Sequence, residues 1–285
     1  MRFIPALAAT TLTVCMLLGV SPAEATATAD ASLDAAVAGS WRSTEDKARD
    51  QYRHPKESLQ FWGLQPRMSI LEIQPGGGWW TEILAPYAKM TGGEFSATAA
   101  DLSNPKVSEE AREERTKLEK HFEAHPEVYG KVQLVSWGAN SGPLPANRFD
   151  FILTARSVHG WIGQGSAQKN FERFYGALKP GGILAVEQHR ANPGKTDAKA
   201  DGGYVTEAQV IELARKAGFE LAGRSEINAN PKDTKDHPFG VWTLPPTRQS
   251  SEDGKQPDAK FDRAKYDAIG ESDRMTLRFR KPGAA

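Results

Sequence analysis

Leu71-Glu72-Ile73-Gln74-Pro75-Gly76-Gly77-Gly78-Trp79-Trp80 is the stretch on which the reading of this chain turns. Residues 68–73 form a short apolar run with the signature of a strand, three glycines follow, and residues 80–89 have helical length and spacing. A strand that passes through glycines into a helix is a physical device for holding a ligand. Glycine adopts turns that a side chain blocks and lets a ligand approach the backbone. The helix behind it presents free N–H groups to whatever binds there. A dinucleotide loop of the G-x-G-x-x-G type needs a further small residue where helix and pyrophosphate meet. Here Gly76 and Gly78 are followed by Trp79, Trp80 and Thr81, which argues against a nicotinamide oxidoreductase.

Outward from the loop the chain alternates. Strand patterns at 94–99, 132–137, 149–154, 183–188, 219–227 and 275–280 are separated by helical stretches at 105–124, 166–178 and 206–217. Strands spaced by helices of this length predict a Rossmann-like α/β sandwich: a mainly parallel sheet with helices on both faces. Asp101 ends the second strand roughly twenty residues beyond the loop, where a carboxylate can accept from ribose hydroxyls. Ahead of the first strand, residues 26–64 read as a helical cap. Its start, residues 26–40, is Ala-rich and reads as a flexible lead. Ser43 with Asp46 then marks a helix start, and Pro55 and Gly63 bound a second short helix. Residues 229–271 break the rhythm and are too long for an ordinary connection. They form either a lid over the active face or a disordered surface insert. An aromatic knot at Phe239, Val241 and Trp242 argues for partial order.

The motifs resemble those of class I S-adenosylmethionine (SAM) methyltransferases. Residues 71–78 look like the first motif of that family, an acidic residue followed by a glycine loop. Ala99-Ala100-Asp101-Leu102-Ser103 is similar to its ribose-binding turn, and Arg148-Phe149-Asp150-Phe151-Ile152 resembles the start of its fourth strand. Ala177-Leu178-Lys179-Pro180-Gly181-Gly182-Ile183-Leu184 resembles the junction into the fifth strand, and Leu213-Ala214-Arg215-Lys216-Ala217-Gly218-Phe219 the approach to the sixth. The resemblance implies a seven-stranded sheet whose last strand is antiparallel, within a domain spanning 65–285. It implies SAM as cofactor, held by Glu72, Gly76, Gly77, Gly78 and Asp101, and methyl transfer to a small molecule. The N-terminal signal and the helical lead point to the exported branch known as predicted methyltransferases. Two departures stand out: Gln74 replaces the first loop glycine, and Gly138 stands where many relatives carry an adenine-binding acid, with Asn140 as a possible substitute.

Methyl transfer is mostly positioning, assisted by a base when the nucleophile carries a proton. By the resemblance, the active face lies at the carboxyl ends of the strands. His159 and His189 fall there as candidate bases, Glu187 as a residue to orient one of them or the substrate, and Arg156 and Arg190 as binders of an acidic group. Trp79, Trp80 and Trp161 either pack or face a sulfonium. His54 can enter from the cap. A metal-assisted alternative would join His159, His189 and His237 with Glu187, but these follow no short-range ligand spacing, so no metal is expected.

Composition bounds the rest. Lys and Arg total 36, as do Asp and Glu. Removing residues 1–25 takes one base, Arg2, and one acid, Glu24, so the balance stays neutral. Neither nucleic acid nor an acidic membrane is an expected partner. Residues 1–25 read as a signal peptide, with small-residue cleavage sites between Ser21 and Ala27, and predict an exported, periplasmic or secreted protein. The rival reading, a membrane anchor, is weakened by Thr10, Thr11 and Thr13, and no stable insertion is expected after cleavage. Cys15, inside the signal, is the only cysteine, which excludes disulfides, thiol nucleophiles and thiolate metal sites from the mature chain. Export raises a second functional reading, a ligand-binding or stress-related protein that keeps the fold without methylating, because SAM is made in the cytoplasm.

Overall fold

The computed structural model describes residues 22–138, 141–195 and 199–283; residues 1–21 of the expected signal, and Asn140, lie outside them. Seven strands form one sheet: β1 (Ser69–Ile73), β2 (Glu94–Ala100), β3 (Val132–Trp137), β4 (Phe149–Ala155), β5 (Leu178–His189), β6 (Glu220–Ser225) and β7 (Arg274–Arg280). Their order is β3-β2-β1-β4-β5-β7-β6. β7 runs antiparallel between β5 and β6, and the other pairings are parallel. The expected Rossmann-like sandwich with an antiparallel last strand is the observed one.

β1 can occupy the centre because all five of its residues are buried. Ile70 faces the apolar cluster with Trp62, Trp80, Ile83 and Leu84, while Leu71 and Ile73 face the other with Phe171, Phe174 and Leu277. A strand buried on both faces is the ordinary condition of a parallel sheet. Chain order reverses at β1 and β4, so a crevice opens at their carboxyl ends, the topological switch point where ligands bind in such sheets.

The N-terminal segment differs from expectation. Residues 26–40 are not a flexible lead: α1 spans Pro22–Ala38, with Leu33 and Ala36 buried. Alanine is the best helix former, and Leu33 and Ala36 give the helix a contact to bury. Short helices follow at α2 (Thr44–Ala48), α3 (Asp50–Arg53) and α4 (Pro55–Trp62). The Ser43 side chain accepts from Asp46 N, and Gly63 closes α4 at φ +84°. α5 (Thr81–Thr91), α6 (Glu109–Ala124) and α7 (Pro126–Tyr129) connect β1 to β3. α8 (Val158–Gly163), α9 (Ala167–Ala177) and α10 (Glu207–Lys216) connect β4 to β6.

The insert is ordered but irregular. It carries one 3₁₀ turn (Gly240–Thr243) and α11 (Arg263–Asp267). Val241, Thr243, Leu244 and Tyr266 are buried, so the aromatic knot packs against the domain. Among the described residues no helix is long and apolar enough to cross a membrane.

Candidate active site

The glycine loop follows β1. Gly76 and Gly78 sit at φ +57° and +82°, and a Cβ added at Gly76 or Gly77 would meet nothing within 4 Å. The loop therefore borders open space on its exposed side, as a ligand cradle must. Gln74 also adopts a left-handed conformation, φ +51°. It is held there from both ends: its N–H donates to Thr98 Oγ1 at 2.7 Å, and its side-chain Oε1 accepts from Trp161 Nε1 at 2.8 Å. The departure from glycine thus ties the loop to α8.

Two cavities flank the loop and share Pro75 and Gly76. The first, about 270 Å³, is lined by Glu72, Gln74, Trp79, Trp80, Arg156, His159 and His189, and by Val241, Trp242, Pro245, Pro246, Thr247, Glu271 and Ser272 of the insert and its junction with β7. The insert is therefore a lid over the switch point. The second, about 540 Å³, lies between the loop, Thr98–Ala100 and α6, and takes in Gly77 and Gly78.

The proposed cofactor and catalytic residues are distributed unevenly over these spaces. Glu72, Gly76, His159 and His189 meet at the first cavity; Gly77 and Gly78 open on the second. Asp101 lies one residue past Ala100 of the second cavity but does not line it. Its Oδ1 accepts from Ser103 N and Oγ at 3.1 and 2.6 Å, which holds its carboxyl below the usual range. Glu187 is buried behind the first cavity, accepting from Arg274 Nη1 at 2.6 Å and Trp80 Nε1 at 3.3 Å. His54 Nδ1 contacts Asn228 Oδ1.

The metal alternative is not assembled. His237 pairs with Asp233 at 2.8 Å and faces a different cavity, and no group of three metal-ligating side chains occurs among the described residues. Arg190 is likewise no substrate binder: its guanidinium is taken up by Glu207, Glu226 and Asp273.

A methyltransferase domain family matches residues 71–186, which covers β1, the loop and the strands through most of β5. The matched region is thus similar to methyltransferase domains. The chain is 26% identical over 129 residues to a ubiquinone/menaquinone biosynthesis C-methyltransferase of Shewanella sediminis, and the match spans 45% of each chain. It thus covers less than half the length of that curated relative. Among solved structures, the [4+2]-cyclase SpnF superposes with a TM-score of 0.52 at 17% identity, covering 91% of this chain and 94% of that one, which supports the fold. A SAM-dependent methyltransferase from Aquifex aeolicus aligns at 24% identity and a TM-score of 0.46, covering 64% and 87%.

The domain surrounds its first cavity with a buried charge cluster that sequence reading missed. Arg274 donates to both Glu187 and Glu271, the latter at 2.5 Å, and Glu271 also accepts from Arg49 and Arg53 at 2.7 and 3.0 Å. Burial works to raise the Glu271 carboxyl, but the three arginines overcome it and hold it near 2. Glu187 is likewise held low against its own burial by Arg274, Arg53 and Arg156. Glu72 has no such partner. Burial pushes its carboxyl up to about 8, although Thr81 Oγ1 donates to it at 2.6 Å.

Burial favours the neutral form of both histidines. Burial, with Arg156 nearby, lowers His159, and lowers His189 well below the ordinary imidazole range. Gln188 fixes a tautomer. Its Oε1 accepts from Val158 N at 3.1 Å and its amide nitrogen donates to Gly203 O at 3.0 Å, so the amide orientation is set by backbone. The same nitrogen lies 3.2 Å from His159 Nδ1, which must accept, leaving the His159 proton on Nε2. His189 Nδ1 meets the Ser272 hydroxyl at 2.5 Å, a group that can donate or accept. The signal that was legible for this pair was Gln188-His189 at a strand end; the partner Ser272 comes from 83 residues away.

Proposed function

We propose that this chain is a SAM-dependent methyltransferase acting on a small molecule at the chamber beneath the insert. The observation that carries the reading is the convergence on one switch-point crevice of a left-handed glycine loop bordering open space and two imidazoles whose ring centres lie 5.7 Å apart. When bound, SAM supplies an electrophilic methyl group on a sulfonium. Gly76–Gly78 and Asp101 are the residues that would hold it, and their open, small-residue surroundings fit such a group.

The chain's own residues then have distinct tasks. His159, with its proton on Nε2, donates to the acceptor and orients it. In the tautomer whose Nδ1–H donates to Ser272 Oγ, His189 keeps Nε2 free to take a proton from the nucleophile. Trp242 and Pro245–Thr247 shield the chamber from water and so strengthen each polar contact inside it. Glu187, fully engaged by Arg274, sets the local field instead of moving a proton. A chamber of about 270 Å³ suits a small acceptor. Residues 1–25 are proposed to act as an export signal, which N-terminal sequencing of the mature chain and cell fractionation would test.

Calorimetry of the full chain with S-adenosylhomocysteine tests the cofactor; no heat on folded protein defeats the proposal. With radiolabelled SAM and a mixture of small acids, phenols and amines, His189→Asn is expected to lower methyl transfer about 100-fold while leaving S-adenosylhomocysteine affinity unchanged. The unaltered enzyme is expected to hold its rate as pH falls through 6.5, because His189 stays neutral there. A rate that collapses at 6.5 speaks against His189 as the base.

A further inference from the structure

The first cavity has one wall charge, Arg156, that no side chain pairs directly, although Glu187 and Glu271 act on it from farther off. Arg156 follows β4 in a left-handed conformation, φ +59°, fixed by its N–H donating to Glu187 O at 2.8 Å. A non-glycine residue is strained there, and such strain collects at functional positions. Its Nε is buried without a hydrogen-bond partner, and no described carboxylate lies within ion-pair distance of its guanidinium.

The other titratable groups around the chamber are spent. Glu271 is shared among Arg49, Arg53 and Arg274. Glu72 is bound by Thr81, and burial favours the neutral form of both histidines. Behind Trp79, Arg53 is fully buried, stacks 4.7 Å from that ring and leaves both Nη atoms without hydrogen-bond partners. The four arginines 49, 53, 156 and 274 face three carboxylates, Glu187, Glu271 and, 3.9 Å from Arg49, Asp46, which leaves one guanidinium over. A buried guanidinium lacking its anion is costly, so the surplus marks a place for one.

We propose that the chamber takes an acceptor bearing a carboxylate, which the Arg156 guanidinium holds while His159 and His189 attend to its nucleophile. This rests on the methyltransferase reading above and adds the chemical class of the acceptor. The planar fork of an arginine matches a carboxylate with two parallel hydrogen bonds. The donor's own carboxylate is the competing occupant. Against it, Arg156 and the histidines line only the first cavity, whereas Gly77 and Gly78 open only on the second.

The probe is benzoate, with benzamide as its uncharged isostere, titrated into the full chain saturated with S-adenosylhomocysteine and followed by calorimetry and tryptophan fluorescence. Benzoate is expected to bind saturably and benzamide at least about tenfold more weakly. Arg156→Gln is expected to weaken benzoate at least about tenfold and Arg156→Lys by less, because lysine keeps the charge but not the fork. S-adenosylhomocysteine affinity should move less than about twofold in both variants. No saturable benzoate binding, or equal binding of benzamide, overturns the proposal, and that comparison needs no variant to fold. A matching loss of S-adenosylhomocysteine affinity in Arg156→Gln also overturns it, by assigning the arginine to the donor. If the unaltered chain binds S-adenosylhomocysteine but not benzoate, only the acceptor class fails. If it binds no S-adenosylhomocysteine at all, the methyltransferase reading itself fails.

Discussion

The two cavities beside the glycine loop share a border and almost nothing else. On the α6 side the wall is Ala99, Ala100, Ala111, Leu118 and Phe122, fringed by surface charges such as Lys117, whose pairing with Glu113 spans 3.9 Å between exposed side chains. On the lid side the wall is backed by ions with almost no exposure: Arg274 and Glu187 are each 1% accessible. Water screens the first set and not the second, so the same Coulombic law gives weak effects on one side of the loop and strong ones on the other. The difference comes from the insert and the start of β7, which bring Glu271, Ser272 and Arg274 over the strand ends. A reaction that depends on unscreened charge belongs on the lid side.

Removing Arg274 is the most severe way to break this contrast. Arg274→Met leaves Glu187 and Glu271 buried without their shortest partner, and is expected to lower unfolding free energy by about 3–5 kcal/mol in denaturant titration. Glu72→Gln should act in the opposite direction. The folded chain keeps the Glu72 proton up to about pH 8, whereas the unfolded chain releases it near the ordinary carboxyl value of 4.5. The folded state therefore binds more protons across that window, and its stability falls as pH rises through it. Glutamine escapes this cost, so the gain should grow from nothing near pH 4.5 to about 3 kcal/mol at pH 7. A gain that is flat with pH would remove Glu72 as a buried, proton-holding acid.

Smaller changes test the loop and the outer side. Gly76→Ala should cost about 1 kcal/mol in thermal or denaturant unfolding from its φ of +57°, with no steric penalty, since its Cβ would point into open space. A cost of several kcal/mol would mean that the loop is packed instead of open. Lys117→Ala, on the exposed face of α6, should stay within about 0.5 kcal/mol. If it approached the Arg274 effect, the contrast between the two sides would collapse.

Much of the fold was legible because its signals are local. Apolar runs, Ser43 as a cap and Gly63 at a helix end each act within a few residues, and the observed elements fall where they indicate; the Lys179-Pro180-Gly181-Gly182 junction does end a helix, but β5 already begins at Leu178 and contains it. The N-terminal helix was missed because alanines carry little periodic pattern, and what orders them is burial of Leu33 and Ala36. At the site, His159 and His189 were found from their positions at strand ends. Glu187 was found by the same rule, but its partner Arg274 lies 87 residues away and no local pattern announces it.

The sequence by itself determined the strands and helices, the glycine loop and the strand ends that carry the histidines, because periodicity and backbone conformation are set by near neighbours. Tertiary structure alone decided which charges are spent. Whether Arg156, Arg190 and Arg274 hold a ligand, saturate on surface acids or lock a buried cluster depends on which distant carboxylates the fold brings within 3 Å and whether water remains between them. That is a property of burial, which no short stretch of chain specifies.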